Sequence, residues 1–281
     1  MREKPYYSIR TGKNQGAIKY TLDVLRDLFF AAFNKLNNEA YFDMAFGKEC
    51  VDAGLMPGKL GPDVRLAVLL HLRKPHLWPI GDNYKNYTED DVFDLVEFLY
   101  DCCAKPVEGN FHNWSDCGWH YSTFDEAEGK REFIKCFNPI LRDYGDGFEI
   151  SSEGEVLSRV DQGMEALFEE ELATEDSSIF EKFTRAQRKF RHFSATPEER
   201  REAVRELADI LEYLRPQLKT VLTKQDESDL FNIANNFGIR HHNPGQKTDY
   251  DKDVWFSWIF YYYSATIHAA MRLLQKAAAN D

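Results

Sequence analysis

The run Pro197-Glu-Glu-Arg-Arg-Glu-Ala-Val-Arg-Glu-Leu-Ala-Asp-Ile-Leu-Glu-Tyr-Leu-Arg-Pro-Gln-Leu-Lys-Thr-Val-Leu222 decides the architecture of the C-terminal half. Ala203, Val204, Leu207, Ile210, Leu211 and Leu214 recur at steps of three and four, which collects them on one helical face. Pro216 has no N–H to give the helix, so a kink or an end is expected there. Further helices are expected at about 226–240 and 253–277. Together these elements read as an all-helical, up-and-down bundle.

The last of these helices contains Val254 to Met271, a stretch of 18 residues with no Asp, Glu, Lys or Arg. That reaches the lower length of a membrane span. Tyr261, Tyr262 and Tyr263 with His268, Ser257, Ser264 and Thr266 are poor company for lipid tails, so a buried, aromatic bundle helix is expected instead. Upstream, residues 161–181 carry eight acidic residues and no Lys or Arg. A composition shift of that kind marks a domain boundary or an acidic first helix, and the chain is divided here into an N-terminal domain, 1–160, and the bundle, 161–281. The length of 281 residues accommodates two domains, and 43% apolar with 14% aromatic residues supplies a core for each.

In the N-terminal part, Leu22, Leu25, Phe29, Phe33 and Leu36 predict a helix, and Pro62 opens another that reaches about Leu72. Thr88 followed by Asp91 approaches a capping box, ahead of an amphipathic run through Val92, Phe93, Val96, Leu99 and Tyr100. A helix over Glu126 to Leu141 comes next. Gly147-Phe-Glu-Ile-Ser-Ser-Glu-Gly-Glu-Val-Leu157 then alternates apolar and polar residues about a turn, the clearest hairpin signal in the chain. The fold class is therefore mainly α, with a helical N-terminal domain that bears a small β-hairpin. A winged-helix-like arrangement fits that pattern without being specified by it.

No basic and apolar leader opens the sequence, and Cys50, Cys102, Cys103, Cys117 and Cys136 form an odd, irregular set, so reduced thiols and a cytoplasmic location are expected. The formal charge of −12 argues against broad, sequence-blind binding of nucleic acid but leaves room for a local basic site. One such cluster is Arg185, Arg188, Lys189 and Arg191, interleaved with Phe183, Phe190 and Phe193. It reads either as a phosphate-contacting, RNA-binding face or as a solvated face that balances the acidic neighbour.

The densest chemistry lies in Leu230-Phe-Asn-Ile-Ala-Asn-Asn-Phe-Gly-Ile-Arg-His-His-Asn-Pro244. On a helix, Asn232, Asn236 and Arg240 form one polar stripe, and His241, His242 and Asn243 follow before Pro244 stops it. An arginine offers a fork of donors to phosphate, and a neighbouring imidazole can move protons when a 2′-hydroxyl attacks its own phosphate. The bland alternative pairs Arg240 with Asp249 or Asp251 and uses the asparagines as caps. His268, near Tyr261, Ser264 and Arg272, reads as a core histidine or as a catalytic one. Cys102, Cys103, His112, Cys117 and His120 crowd together, yet the spacing is unlike the paired loops of structural zinc sites. Trp114, Trp119 and Phe111 suggest a packed aromatic loop there, so no metal and no cofactor are assigned. Walker, dinucleotide-binding and nucleophile-elbow motifs are absent.

The stretch Leu230 to Leu274, with the Ala203-to-Leu214 helix, resembles the C-terminal HEPN-like domain of bacterial proteins related to the abortive-infection protein AbiJ. Ala45-Phe-Gly-Lys-Glu-Cys-Val-Asp-Ala-Gly54, Leu77-Trp-Pro-Ile80 and the Asp146-to-Leu157 hairpin are similar to the domain that accompanies it. The resemblance implies a helical, usually dimeric module, often a metal-independent endoribonuclease of phage defence or RNA processing. It implies a homodimer through the bundle, an RNA substrate and no membrane partner. In the family an arginine and a polar residue precede a histidine after about four to six positions. Arg240 and His241 match the first two, but positions 245–247 are Gly245, Gln246 and Lys247. Two readings follow. In one, Arg240 holds phosphate, His241 or His242 acts as acid and base, and Asn236 and Asn243 orient them. In the other, a non-catalytic module binds RNA, nucleotide or a protein partner.

Overall fold

A computed structural model describes residues 6–13, 19–160, 164, 166–169, 172–225, 228, 230–232, 239 and 251–278. The chain separates into two compact units, 1–159 and 160–281. Both are mainly helical, and the strands form three separate antiparallel pairs among the described residues.

The N-terminal unit is built on three long helices, α1 (Leu22–Asn38), α3 (Glu89–Cys102) and α4 (Glu126–Arg142), with the shorter α2 (Val64–Leu72) beside them. Asp63, rather than Pro62, caps α2 by accepting the Leu66 N–H at 3.0 Å. The Thr88–Asp91 pair does form a capping box: Thr88 Oγ1 accepts the Asp91 N–H at 3.2 Å, and Asp91 Oδ2 accepts the Thr88 N–H at 2.9 Å. α3 is enclosed on most sides, with Val92, Leu95, Val96 and Leu99 packed among Phe29, Phe42, Phe133 and Phe137. Phe133 and Phe137 stack one turn apart on α4, at 4.3 Å between ring centroids.

Three hairpins project from this core. β1 (Gly47–Cys50) pairs with β2 (Gly54–Pro57), β3 (Lys105–His112) with β4 (Gly118–Asp125), and β5 (Phe148–Ile150) with β6 (Val156–Ser158). The third is the hairpin that alternation predicts. It is tied to the helices by Val156 N–H to Glu97 Oε1 at 2.8 Å, Ile150 N–H to Asn138 Oδ1 at 2.9 Å and Tyr100 O–H to the Ser152 carbonyl at 2.5 Å. The β3–β4 pair replaces a segment read from sequence as a packed aromatic loop, and β1–β2 has no counterpart among the elements expected from sequence. In β3–β4 the register shifts between Pro106 and Gly109, and neither face is uniformly buried, so the two-residue rhythm that announces a strand is broken.

The C-terminal unit contains α5 (Ser177–Arg191), α6 (Pro197–Leu218) and α7 (Lys252–Ala278). Thr196 and Glu199 close a capping box on α6. The helix runs two residues past Pro216, because a proline in the last turn costs only one terminal hydrogen bond. Ala203, Val204, Leu207, Ile210, Leu211 and Leu214 are all buried, the face expected from their spacing. α7 is one-sided rather than apolar all round: Phe256, Ile259, Phe260, Tyr263 and Ile267 are buried, while Val254 and Trp258 are exposed. Phe190 of α5 stacks on Phe260 of α7 at 3.9 Å and 6°. The helix expected at about 226–240 lies mostly outside the described residues. Among those described, no helix is long and apolar enough to cross a membrane.

Candidate functional sites

Arg240, His241, His242, Asn236 and Asn243 lie outside the described residues. Ile239, directly before Arg240 in sequence, is fully buried in the core of the bundle with Leu230 and Phe231. Asn232 is exposed and donates to Ser228 Oγ at 3.2 Å. Asp251 caps α7, its carboxylate accepting the N–H groups of Asp253 and Val254 at 3.1 Å each. His268 is buried with its ring edge-on to Phe183 at 5.4 Å.

The basic cluster lies on α5. Arg185 Nε donates to Glu206 of α6 at 3.2 Å, and Lys189 reaches the other oxygen of Glu206 at 2.5 Å and Glu202 at 3.6 Å. Donating this hydrogen bond to Glu206 raises the Lys189 ammonium above its ordinary pKa. Arg191 lies over the Phe168 ring at 5.2 Å, and Arg188 is half-buried. Two of the four cations thus serve pairings between helices, which lowers the positive field they present to a phosphate.

A second constellation sits where two hairpin tips meet. Cys50 ends β1, His112 ends β3, Cys117 lies in the turn and His120 is the third residue of β4. One ligand-capable atom from each lies within 4.8 Å of all the others. Cys50 Sγ is 3.8 Å from His112 Nδ1, and Cys117 Sγ is 3.1 Å from His120 Nε2. His112 turns its other nitrogen, Nε2, to the Asp52 carboxylate at 3.2 Å. Local backbone makes this convergence. Ser115, Asp116 and Gly118 all adopt positive φ, which curls the short turn and brings Cys117 back over the strand end. At Gly109 a Cβ would stand 2.3 Å from the His120 carbonyl oxygen, so only glycine lets β3 approach β4 that closely.

The thiols fall into two chemical classes. N–H groups of Ala53 and Asp52 point at the Cys50 sulfur and hold its pKa below the ordinary thiol value. Burial pushes Cys102 and Cys103, in the core at the end of α3, up to about 12, and it also raises Cys136. Sequence proximity grouped Cys102 and Cys103 with the histidines. The structure instead supplies Cys50, 62 residues before His112.

Asp91 of α3 is a charged side chain buried in the N-terminal core. Burial alone would raise its carboxyl. Lys74 at 2.8 Å, the Thr88 N–H and His76 at 3.1 Å overcome that and hold it far below the carboxylate range. Its capping and ion-pairing contacts make it structural.

Comparison with models of known families, with curated proteins and with solved structures finds no match for this chain.

Proposed function

We propose that the chain is an RNA-directed, HEPN-type protein whose C-terminal bundle works as a homodimer and cleaves RNA without a metal in the chemical step. Arg240 would hold the scissile phosphate. His241 or His242 would take the 2′-hydroxyl proton and return one to the leaving 5′-oxygen, with Asn236 and Asn243 orienting them. The observation that carries this reading is the burial of Ile239 in the bundle core. It anchors the chain at the residue before Arg240, and a site of this kind needs such support. The N-terminal unit is proposed to be winged-helix-like, and in the non-catalytic reading it would choose the target. The ion pairs of Arg185 and Lys189 with Glu206 leave that cluster less available to phosphate, so in either reading RNA contact is assigned to the Arg240 segment rather than to α5.

The test incubates purified protein with total RNA and transfer RNA, with and without EDTA, beside Arg240→Ala/His241→Ala/His242→Ala. Discrete fragments that vanish in the triple variant are the expected result. Intact RNA in every lane, together with a gel shift that the triple variant retains, would replace catalysis by binding elsewhere on the chain.

A further inference from the structure

Cys50, His112, Cys117 and His120 have no part in the ribonuclease reading, and what surrounds them is a stability problem. A two-stranded hairpin is marginal in water unless it packs on something. At its root the β3–β4 hairpin is anchored to the helices: Asp125 caps α4 through the Glu128 N–H at 2.9 Å, and Lys105 pairs with Glu132 at 2.7 Å. Further out, Val107, Phe111, Trp114 and Trp119 are between 48% and 68% exposed. On the facing hairpin, Val51 and Leu55 are 54% and 46% exposed. Apolar burial therefore does not join the two tips. Polar contacts link them instead: Lys48 Nζ donates to the Trp119 carbonyl at 2.7 Å, His112 Nε2 faces the Asp52 carboxylate at 3.2 Å, and the four-residue cluster lies between the tips.

We propose that Cys50, His112, Cys117 and His120 are the ligands of a structural zinc ion that clamps the tips of the β1–β2 and β3–β4 hairpins together. The donor set is a standard one for tetrahedral zinc, and four protein ligands close the coordination sphere, so the ion holds structure rather than activating water. Geometry agrees. Zn–S of about 2.3 Å and Zn–N of about 2.0–2.1 Å put tetrahedral sulfur and nitrogen ligands roughly 3.6 Å apart. The observed sulfur–nitrogen separations of 3.8 and 3.1 Å bracket that value. An independent sign is the Asp52 carboxylate on His112 Nε2, which leaves Nδ1 for the metal and orients the ring, the carboxylate–histidine arrangement found around zinc. Zinc binding displaces the two thiol protons to solvent, and each thiolate donates a lone pair to the ion with no change of redox state.

The full chain, purified without chelator from zinc-supplemented cells, is assayed by plasma mass spectrometry beside Cys50→Ser/Cys117→Ser and the control Cys136→Ser. We expect a single zinc per chain in wild type and control, and a loss of about tenfold or more in the double variant. Cobalt substitution should give tetrahedral visible bands with thiolate charge transfer. Wild type without zinc, or a double variant that keeps it, overturns the assignment. If the double variant fails to fold, alkylation of the wild-type chain decides. Cys50 and Cys117 should be shielded with zinc and labelled after chelation. Equal labelling in both states, or a Cys50–Cys117 disulfide in the intact mass, overturns it. Asp52→Asn should weaken retention against a competing chelator by about tenfold while the cobalt spectrum stays tetrahedral. The proposal is independent of the ribonuclease reading: zinc content and RNA cleavage are read separately, and either can fail alone.

Discussion

In the bundle, Leu207, Ile259, Phe260 and Ile267 are fully buried, whereas in the paired hairpins Val51, Leu55, Val107, Phe111, Trp114 and Trp119 keep much of their surface in water. One region is held by apolar area, the other by directed contacts between side chains far apart in sequence. The bundle's stability is spread over many residues of similar weight, and a substitution there loses transfer energy in proportion to what it removes. In the hairpins a few groups hold the arrangement, so single changes should be either nearly silent or locally decisive.

The largest effect should come from the bundle. Phe260→Ala removes a ring that stacks on Phe190 and should cost about 3–5 kcal/mol in chemical denaturation. A cost below about 1 kcal/mol would show that the core repacks and that the contrast is overstated. In the N-terminal unit, Asp91→Ala breaks a cap and a largely buried pair with Lys74 and should cost about 3 kcal/mol. Its acid dependence follows from linkage. The folded-state carboxyl titrates well below the unfolded one, whose pKa is about 3.9, so the stabilisation is complete above that unfolded value and is lost as pH falls below it. Wild type should therefore lose stability below about pH 4 more steeply than Asp91→Ala, as read by urea midpoints across pH. Chelation should speed amide exchange about tenfold or more over 105–125 and leave α6 and α7 unchanged, an opening cost of about 1.4 kcal/mol. Exchange that rises equally in the bundle would erase the distinction. The smallest change should be common to both units: Thr88→Ala and Thr196→Ala each remove one capping-box acceptor and should cost about 1 kcal/mol.

The same contrast explains what the sequence made legible. The three- and four-residue spacing in 203–214 is a local signal, and the buried face of α6 matches it residue for residue. The Thr88 cap and the 147–157 hairpin were also readable, since their partners lie within a few positions. β3–β4 was not, because its bulges and two-sided exposure leave no alternation to read. The cluster at the tips was half visible. His112, Cys117 and His120 stood out, but the nearest cysteines, Cys102 and Cys103, belong to the core. What marked Cys50 was its place before a glycine turn, with Gly54 directly opposite it, just as Gly118 faces His112. The Arg240 segment lies outside the described residues, so its reading still rests on the chemistry of its side chains.

The 62-residue separation between Cys50 and His112 has a consequence for the unfolded chain. Were a zinc ion to stay on these ligands as the chain opens, the bridge would restrict the denatured ensemble much as a covalent cross-link does, by about 4 kcal/mol on the loop-entropy relation for disulfides. The interval includes α2 and α3 entirely, so a clamp at the tips would shorten the conformational search of the helices between them. Two exposed hairpins would in this way limit how far the buried helical core can expand when it opens.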